Sequence, residues 1–178
     1  MDDDEARTRL LDAAEALFYA EGIQAVGMDR VRERSGVPLK RLYRVFPSKE
    51  VLVAACLERR DARWTGGLRE AVAGSAEPVA AVFDWLARWF SEPDFRGCAF
   101  LNAYGELGAG PAAVLDVVRR HKAGLRSLLG GLTDSPALAD QLLILVEGAT
   151  VVAALDPGPE PALRAREAAL RLLEPAGG

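Results

Sequence analysis

The sequence predicts an all-α protein of about nine helices. Two observations predict it. Apolar residues recur at three- and four-residue intervals in segment after segment, and no window shows the strict alternation of a half-buried strand. The ten prolines fall between those segments or at their first turn, where a missing amide N–H costs little.

The elements follow in order. Residues 5–21 place Leu10, Ala14, Leu17 and Phe18 on one face, and Gly22 can end that helix in a left-handed conformation. Residues 28–35 make a short helix closed by Gly36, and residues 39–45 make another closed by Phe46 and Pro47. Ser48 caps a fourth helix that runs to Trp64 or past Gly66 and Gly67. Pro78 opens 77–91, with Val79, Val82, Phe83, Leu86, Trp89 and Phe90 on a broad apolar face. Asp94 caps 95–107, and Pro111, Pro136 and Pro161 open 111–129, 136–155 and 161–173. Near residue 50 the composition shifts from short helices with clustered basic residues to long ones rich in Ala, Leu and Val. The expected domains are residues 1–48 and 49–178.

Composition excludes several classes. A chain of 178 residues, half of them hydrophobic, can bury a core without a disulfide or a structural metal. Cys56 and Cys98 are too few for a disulfide scaffold or a four-cysteine zinc site, and read as reduced, packed thiols. The single histidine, His121, stands in Arg119-Arg120-His121-Lys122 and reads as part of an exposed basic face. There is no glycine-rich nucleotide loop, metal-ligand spacing or nucleophile elbow. The chain is therefore expected not to be an enzyme, with no cofactor and no metal. The start, Met1-Asp2-Asp3-Asp4-Glu5, is the reverse of a signal peptide, and Asp140, Gln141 and Glu147 interrupt the most apolar stretch. A cytoplasmic location without membrane association is expected.

The informative segment is residues 5–50. Helices 28–35 and 39–45 are joined by a tight turn at Gly36-Val37-Pro38, and the first helix offers an apolar face to close a three-helix core. This is the layout of a helix-turn-helix unit, whose second helix is presented to the major groove. Between Arg30 and Lys49 seven basic residues stand with one acidic residue, a local +6 inside a chain of net charge −4. The remainder carries −10. Local basic density governs attraction to a polyanionic duplex more than the total does.

These residues resemble the DNA-binding domain of TetR/AcrR-family transcriptional regulators. The resemblance rests on Ala13-Ala14, Leu17-Phe18 and Gly22 in the first helix and on the turn Ser35-Gly36-Val37. It continues through Leu42-Tyr43-Arg44-Val45-Phe46 in the recognition helix and Ser48-Lys49-Glu50 at the next. It implies a double-stranded DNA operator as partner and contacts from Gly27, Pro38, Leu39, Lys40, Arg41, Tyr43, Arg44 and Lys49. Leu42 and Phe46 should anchor the helix. Tyr43 and Lys49 suit phosphates, Arg41 and Arg44 suit guanine edges, and Lys40 suits either. Three departures stand out. Gly27 replaces the usual hydroxyl residue, Lys40 and Arg41 replace a usual glycine and threonine, and the acidic start should repel DNA rather than form a minor-groove arm.

For the helical body the resemblance implies a homodimer and an unknown small-molecule effector. Residues 142–146 are apolar on every side of a helix, so that helix must be buried all round. The expected interface is Leu138, Leu142, Leu145, Ala149, Leu163, Leu170 and Leu173. The expected ligand pocket mixes aromatic and polar groups: Trp64, Phe83, Trp85, Trp89, Phe100, Asn102, Tyr104, Glu106 and Glu147. Phe83 reads equally as core. The whole reads as a ligand-responsive repressor that binds a palindromic operator as a dimer. The alternative is a helical ligand-binding or adaptor protein without sequence-specific DNA binding.

Overall fold

The computed structural model describes residues 1–174, and those residues form helices joined by turns, with no strand among them. The elements are α1 (Asp3–Glu21), α2 (Met28–Ser35), α3 (Leu39–Val45), α4 (Lys49–Ala73), α5 (Pro78–Phe90), α6 (Ala99–Leu107), α7 (Ala112–Gly130), α8 (Pro136–Leu155) and α9 (Glu160–Leu173). Packing divides the chain into two compact units. One comprises Met1–Asp61 with Ala99–Arg120, the other Ala62–Cys98 with the chain from His121 onward, so α4 and α7 each contribute to both.

In the first unit Leu10, Ala14 and Leu17 of α1 close over Val31 of α2 and Leu42 of α3, all buried. Gly22 has φ 90°, and its N–H donates to the Phe18 carbonyl at 3.0 Å. A Cβ there would stand 3.1 Å from Glu106 Oε2, so the bend requires glycine on conformational and steric grounds. Glu106 of α6 accepts from the Gln24 backbone N–H at 2.8 Å, while the Gln24 side-chain amide donates to the Glu106 carbonyl. Arg59 of α4 clasps α1. Its Nε donates to Glu15 at 2.8 Å and its Nη1 to Asp12 at 2.7 Å. Burial lowers the Arg59 pKa, but its bonds to Glu15 and Asp12 outweigh that and leave it raised.

The second unit is built on α5, α8 and α9, with Phe83, Leu86, Phe90, Leu142, Val146, Ala153, Ala162 and Ala169 at its centre. Small alanines on α9 let the helices approach closely, and large residues on α5 fill the space. Here the structure corrects several expectations. Residues 95–98 are not helical: Gly97 takes φ 82°, and Phe95 turns into the core against Trp89 and Phe90, with ring centroids 5.0 and 5.1 Å apart. Helix α6 therefore starts at Ala99, without an Asp94 cap. His121 is only 4 % exposed, because it continues the inner row of α7 set by Val114, Val117 and Val118, and the neighbouring arginines point outward. Leu142 and Ala149, expected at an interface, lie in the chain's own core, and Leu138, Leu145 and Leu170 are half-buried. The exposed apolar stripe of α8 is instead Ile144 (70 %), Val151, Val152 and Leu155 (85 %), joined on α9 by the expected Leu163 and Leu173 and by Leu172.

By length and composition α8 is apolar enough to cross a bilayer. Its inner row packs in the core, however, and its carboxylates are paired. Lys122 Nζ lies 2.6 Å from Glu147, and Arg126 Nε lies 2.5 Å from Asp140. Cys56 and Cys98 are free and buried.

Replacing Arg59 with methionine removes the guanidinium that bonds the mostly buried Glu15. We expect a loss of about 2 kcal/mol in urea unfolding, the range for hydrogen bonds to charged groups. A midpoint unchanged from the native chain would show that the clasp contributes nothing.

Candidate nucleic-acid interface

The turn between α2 and α3 is set by Gly36, at φ 67°, whose N–H donates to the Arg32 carbonyl at 3.0 Å. Ser35 Oγ accepts from Val37 N at 3.3 Å and donates to the Arg32 carbonyl at 3.1 Å, which fixes the descent into the turn. Pro38 then opens α3 in an extended conformation, φ −61° and ψ 142°. Leu42 and Phe46 lie one turn apart and are fully buried. At 100° per residue, Lys40 and Arg44 fall opposite these anchors, with Tyr43 on one flank and Arg41 on the other. Tyr43 is 46 % exposed, as is Leu39. Pro38, Lys40, Arg41 and Arg44 line an open hollow of about 440 Å³ together with Met1.

Lys49 opens α4 half-buried, next to a capped helix start. Ser48 Oγ accepts from Val51 N at 3.3 Å. The Ser48 hydroxyl, its own backbone N–H and the Lys49 ammonium hold the Glu50 carboxyl below its ordinary value. A lowered carboxyl stabilises the fold at neutral pH, and that support is lost as pH falls through the carboxylate range. All eight residues expected at DNA therefore lie on α3, at its start, at the N-cap of α2 or at the first residue of α4. The acidic start forms the first turn of α1, where Asp2 caps the helix by accepting from Glu5 N at 2.8 Å. The contact of Asp3 with Arg41 and Arg44 was not legible in the sequence, because it joins residues about forty positions apart.

The residues expected in a ligand pocket separate. In the first unit Phe100 is core and Tyr104 is half exposed, while Asn102 and Glu106 line a cavity of about 40 Å³ with Cys56, Tyr19 and Arg60. In the second unit Phe83 is fully buried and Glu147 is paired with Lys122. Trp64, Trp85 and Trp89 do meet. Trp64 stands edge-on to Trp85 at 4.9 Å, to Trp89 at 5.5 Å and to His121 at 5.3 Å. The Trp64 Nε1 is buried without an acceptor among the described residues.

Gly27 is the N-cap of α2, at φ −83° and ψ 162°, with nothing within 4 Å of an added Cβ. Gly27→Ser should therefore cap α2 without strain and raise stability by about 0.5–1 kcal/mol. A urea midpoint that moves up with an unchanged m-value is the expected result, and a lower midpoint would refute it.

Comparison with known proteins accords with this geometry. Residues 10–56 match the family described as "Bacterial regulatory proteins, tetR family". The crystal structure of a TetR-family transcriptional regulator from Streptomyces coelicolor superposes with a TM-score of 0.85 at 35 % identity, covering 94 % of this chain and 89 % of that one. The transcriptional repressor KstR of Rhodococcus jostii is 32 % identical over 144 residues, 79 % of this chain and 66 % of the relative. The transcriptional activator FasR of Mycolicibacterium smegmatis is 36 % identical over 90 residues, 47 % of this chain and 41 % of the relative. The chain thus spans less than two thirds of the length of these two relatives. By its structural likeness across nearly the whole chain and the match over its helix-turn-helix, the chain belongs to the TetR family of bacterial transcriptional regulators.

Proposed function

We propose that this protein is a ligand-responsive repressor that binds a two-fold symmetric operator as a homodimer in the cytoplasm. The observation that carries the reading is the outward face of α3, where Lys40, Arg41, Tyr43 and Arg44 stand opposite the buried Leu42 and Phe46. Arg41 and Arg44 read guanine edges, and Lys40 reads a base or holds a phosphate. Tyr43, Lys49 and the backbone around Gly27, Pro38 and Leu39 take phosphates. A repressor and an activator both stand among the relatives, so repression is the part of the reading that a reporter assay decides.

The dimer supplies two reading heads to one side of the duplex. We assign its interface to the α8 stripe Ile144, Val151, Val152 and Leu155 together with Leu163, Leu172 and Leu173 of α9. The effector enters the second unit at the tryptophan cluster, where Trp64 Nε1 offers a donor that no atom of the described residues accepts from. Its effect on DNA equals its difference in affinity between two conformations, and α4, which belongs to both units, is the element that transmits it.

Binding to the DNA upstream of its own gene, measured at several salt concentrations, tests the reading. A specific site with a steep negative salt slope is expected, and binding with no sequence preference would defeat it. Arg44→Ala should cost about 1–3 kcal/mol at one base position and little at others. Equal weakening on every duplex would move Arg44 to the phosphate contacts. Sedimentation at micromolar concentration should give a dimer, and the double variant Ile144→Glu, Leu155→Glu should give a folded monomer with operator affinity reduced at least about tenfold. A native chain that sediments as a monomer overturns the interface.

A further inference from the structure

The first turn of α1 meets the outward face of α3. The Asp3 carboxylate bonds Arg44 Nη2 and lies 3.8 Å from Arg41 Nε, and the Met1 carbonyl accepts from Arg41 Nη1. Two of the neighbouring acids are engaged elsewhere: Asp2 caps α1, and Glu5 pairs with Arg9 at 3.6 Å. Lys40, on the same face, carries no ion pair among the described residues. Asp3 therefore addresses the two residues that the proposed function makes base readers, and leaves out the one whose contact is not tied to a base.

From this placement we infer that Asp3 is a specificity-determining residue, a positioning group for Arg41 and Arg44; the inference rests on the proposed base-reading role of those arginines. A carboxylate on a guanidinium stands in the place of a phosphate oxygen. Any duplex offers phosphates, so on a random sequence each arginine would exchange one anion for another, and the displaced Asp3 would face the DNA backbone unpaired. A guanine edge offers two parallel acceptors to one guanidinium, whose five N–H donors also allow a carboxylate to be kept. Asp3 thus penalises the contact made on every sequence and preserves the contact made on the right one. It also turns two long side chains toward the groove before DNA arrives, which lowers the cost of ordering them there.

Asp3→Asn keeps the size of the side chain and removes the charge. The full-length native chain, Asp3→Asn and Asp3→Glu are each bound to a random-sequence 30-base-pair duplex across a salt series, and each is used to select from a randomised duplex library. For Asp3→Asn we expect random-duplex affinity to rise by about five- to tenfold, with a log–log salt slope steeper by about one unit, the signature of one more phosphate contact. We expect its selected sequences to lose preference at the guanines that the native chain enriches. Asp3→Glu, which keeps the charge, should restore most of the preference, and equal urea midpoints exclude a folding effect. Unchanged random-duplex affinity and slope, or equal weakening on random and selected duplexes, overturns the inference. Native enrichment that Asp3→Asn leaves intact defeats the role of Asp3 alone. A native chain that enriches no sequence defeats the base-reading assignment and this inference together.

Discussion

Helix α3 has only seven residues, and a helix of two turns has no stability of its own in water. Everything its outer face can do depends on Leu42 and Phe46, which hold it to α1 and α2 with no exposed surface. Because the two lie four residues apart, they fix both the rotation of the helix and its tilt. That rotation places Lys40 and Arg44 outermost, with Arg41 more enclosed. The side-chain exposures of Arg44 and Arg41, 55 % and 29 %, follow from this angle. The guanidinium of Arg7 covers the Phe46 ring at 4.9 Å, so α1 seals the anchor from outside as well as from beneath. The reading surface is thus a consequence of apolar packing, and the charges are passengers on it.

The electrostatics are less one-sided than the local +6 suggests. Arg30 pairs with Glu21 at 2.6 Å, and Arg32 lies 3.6 Å from Asp29. Arg44 and Arg41 share Asp3. All three of these acids stand outside the window in which the basic residues were counted, so folding returns negative charge to basic residues that sequence order had separated from it. The attraction that remains for a duplex comes from groups whose partners can be exchanged, from Lys49 beside Glu50, and from Arg34 and Lys40, which have no ion pair among the described residues. A surface of that kind discriminates by what replaces its internal bonds rather than by net attraction.

Local information explains what was legible. The helices at 28–35, 39–45 and 136–155 were read with their observed ends because a glycine or proline marks each boundary and the apolar period is unbroken between marks. The α3 anchors and its outward residues followed from the same period. Three features differ from the expectation, two through local packing and one through a distant contact. Phe95 left helical conformation to join Trp89 and Phe90. His121 was read from its charged neighbours rather than from the row of Val117 and Val118. Asp3 reads in sequence as one of four acids that repel DNA, whereas its partners Arg41 and Arg44 lie about forty residues away. The need of Glu106 and Glu147 for partners was legible, since a carboxylate in apolar surroundings must be satisfied. That Gln24 and Lys122 supply them was not.

Helix α8 shows how an apolar sequence can hide two faces. Because apolar residues fall on every side of it, polarity does not separate the core row from the outer row, and Leu142 and Ile144 look equivalent in sequence. Burial separates them completely. The outer row runs from Ile144 to Leu155, about 16 Å at 1.5 Å per residue, with Gly148 in its middle and open space around that glycine. Both carboxylates of the helix lie beside this row and are paired within the unit, Asp140 with Arg126 and Glu147 with Lys122. The row itself carries no charge, and Gly148 leaves a low point at its centre. In the dimer proposed above this stripe would meet its own copy, with the Arg126–Asp140 pair at its edge, and two-fold pairing needs only such a self-complementary surface.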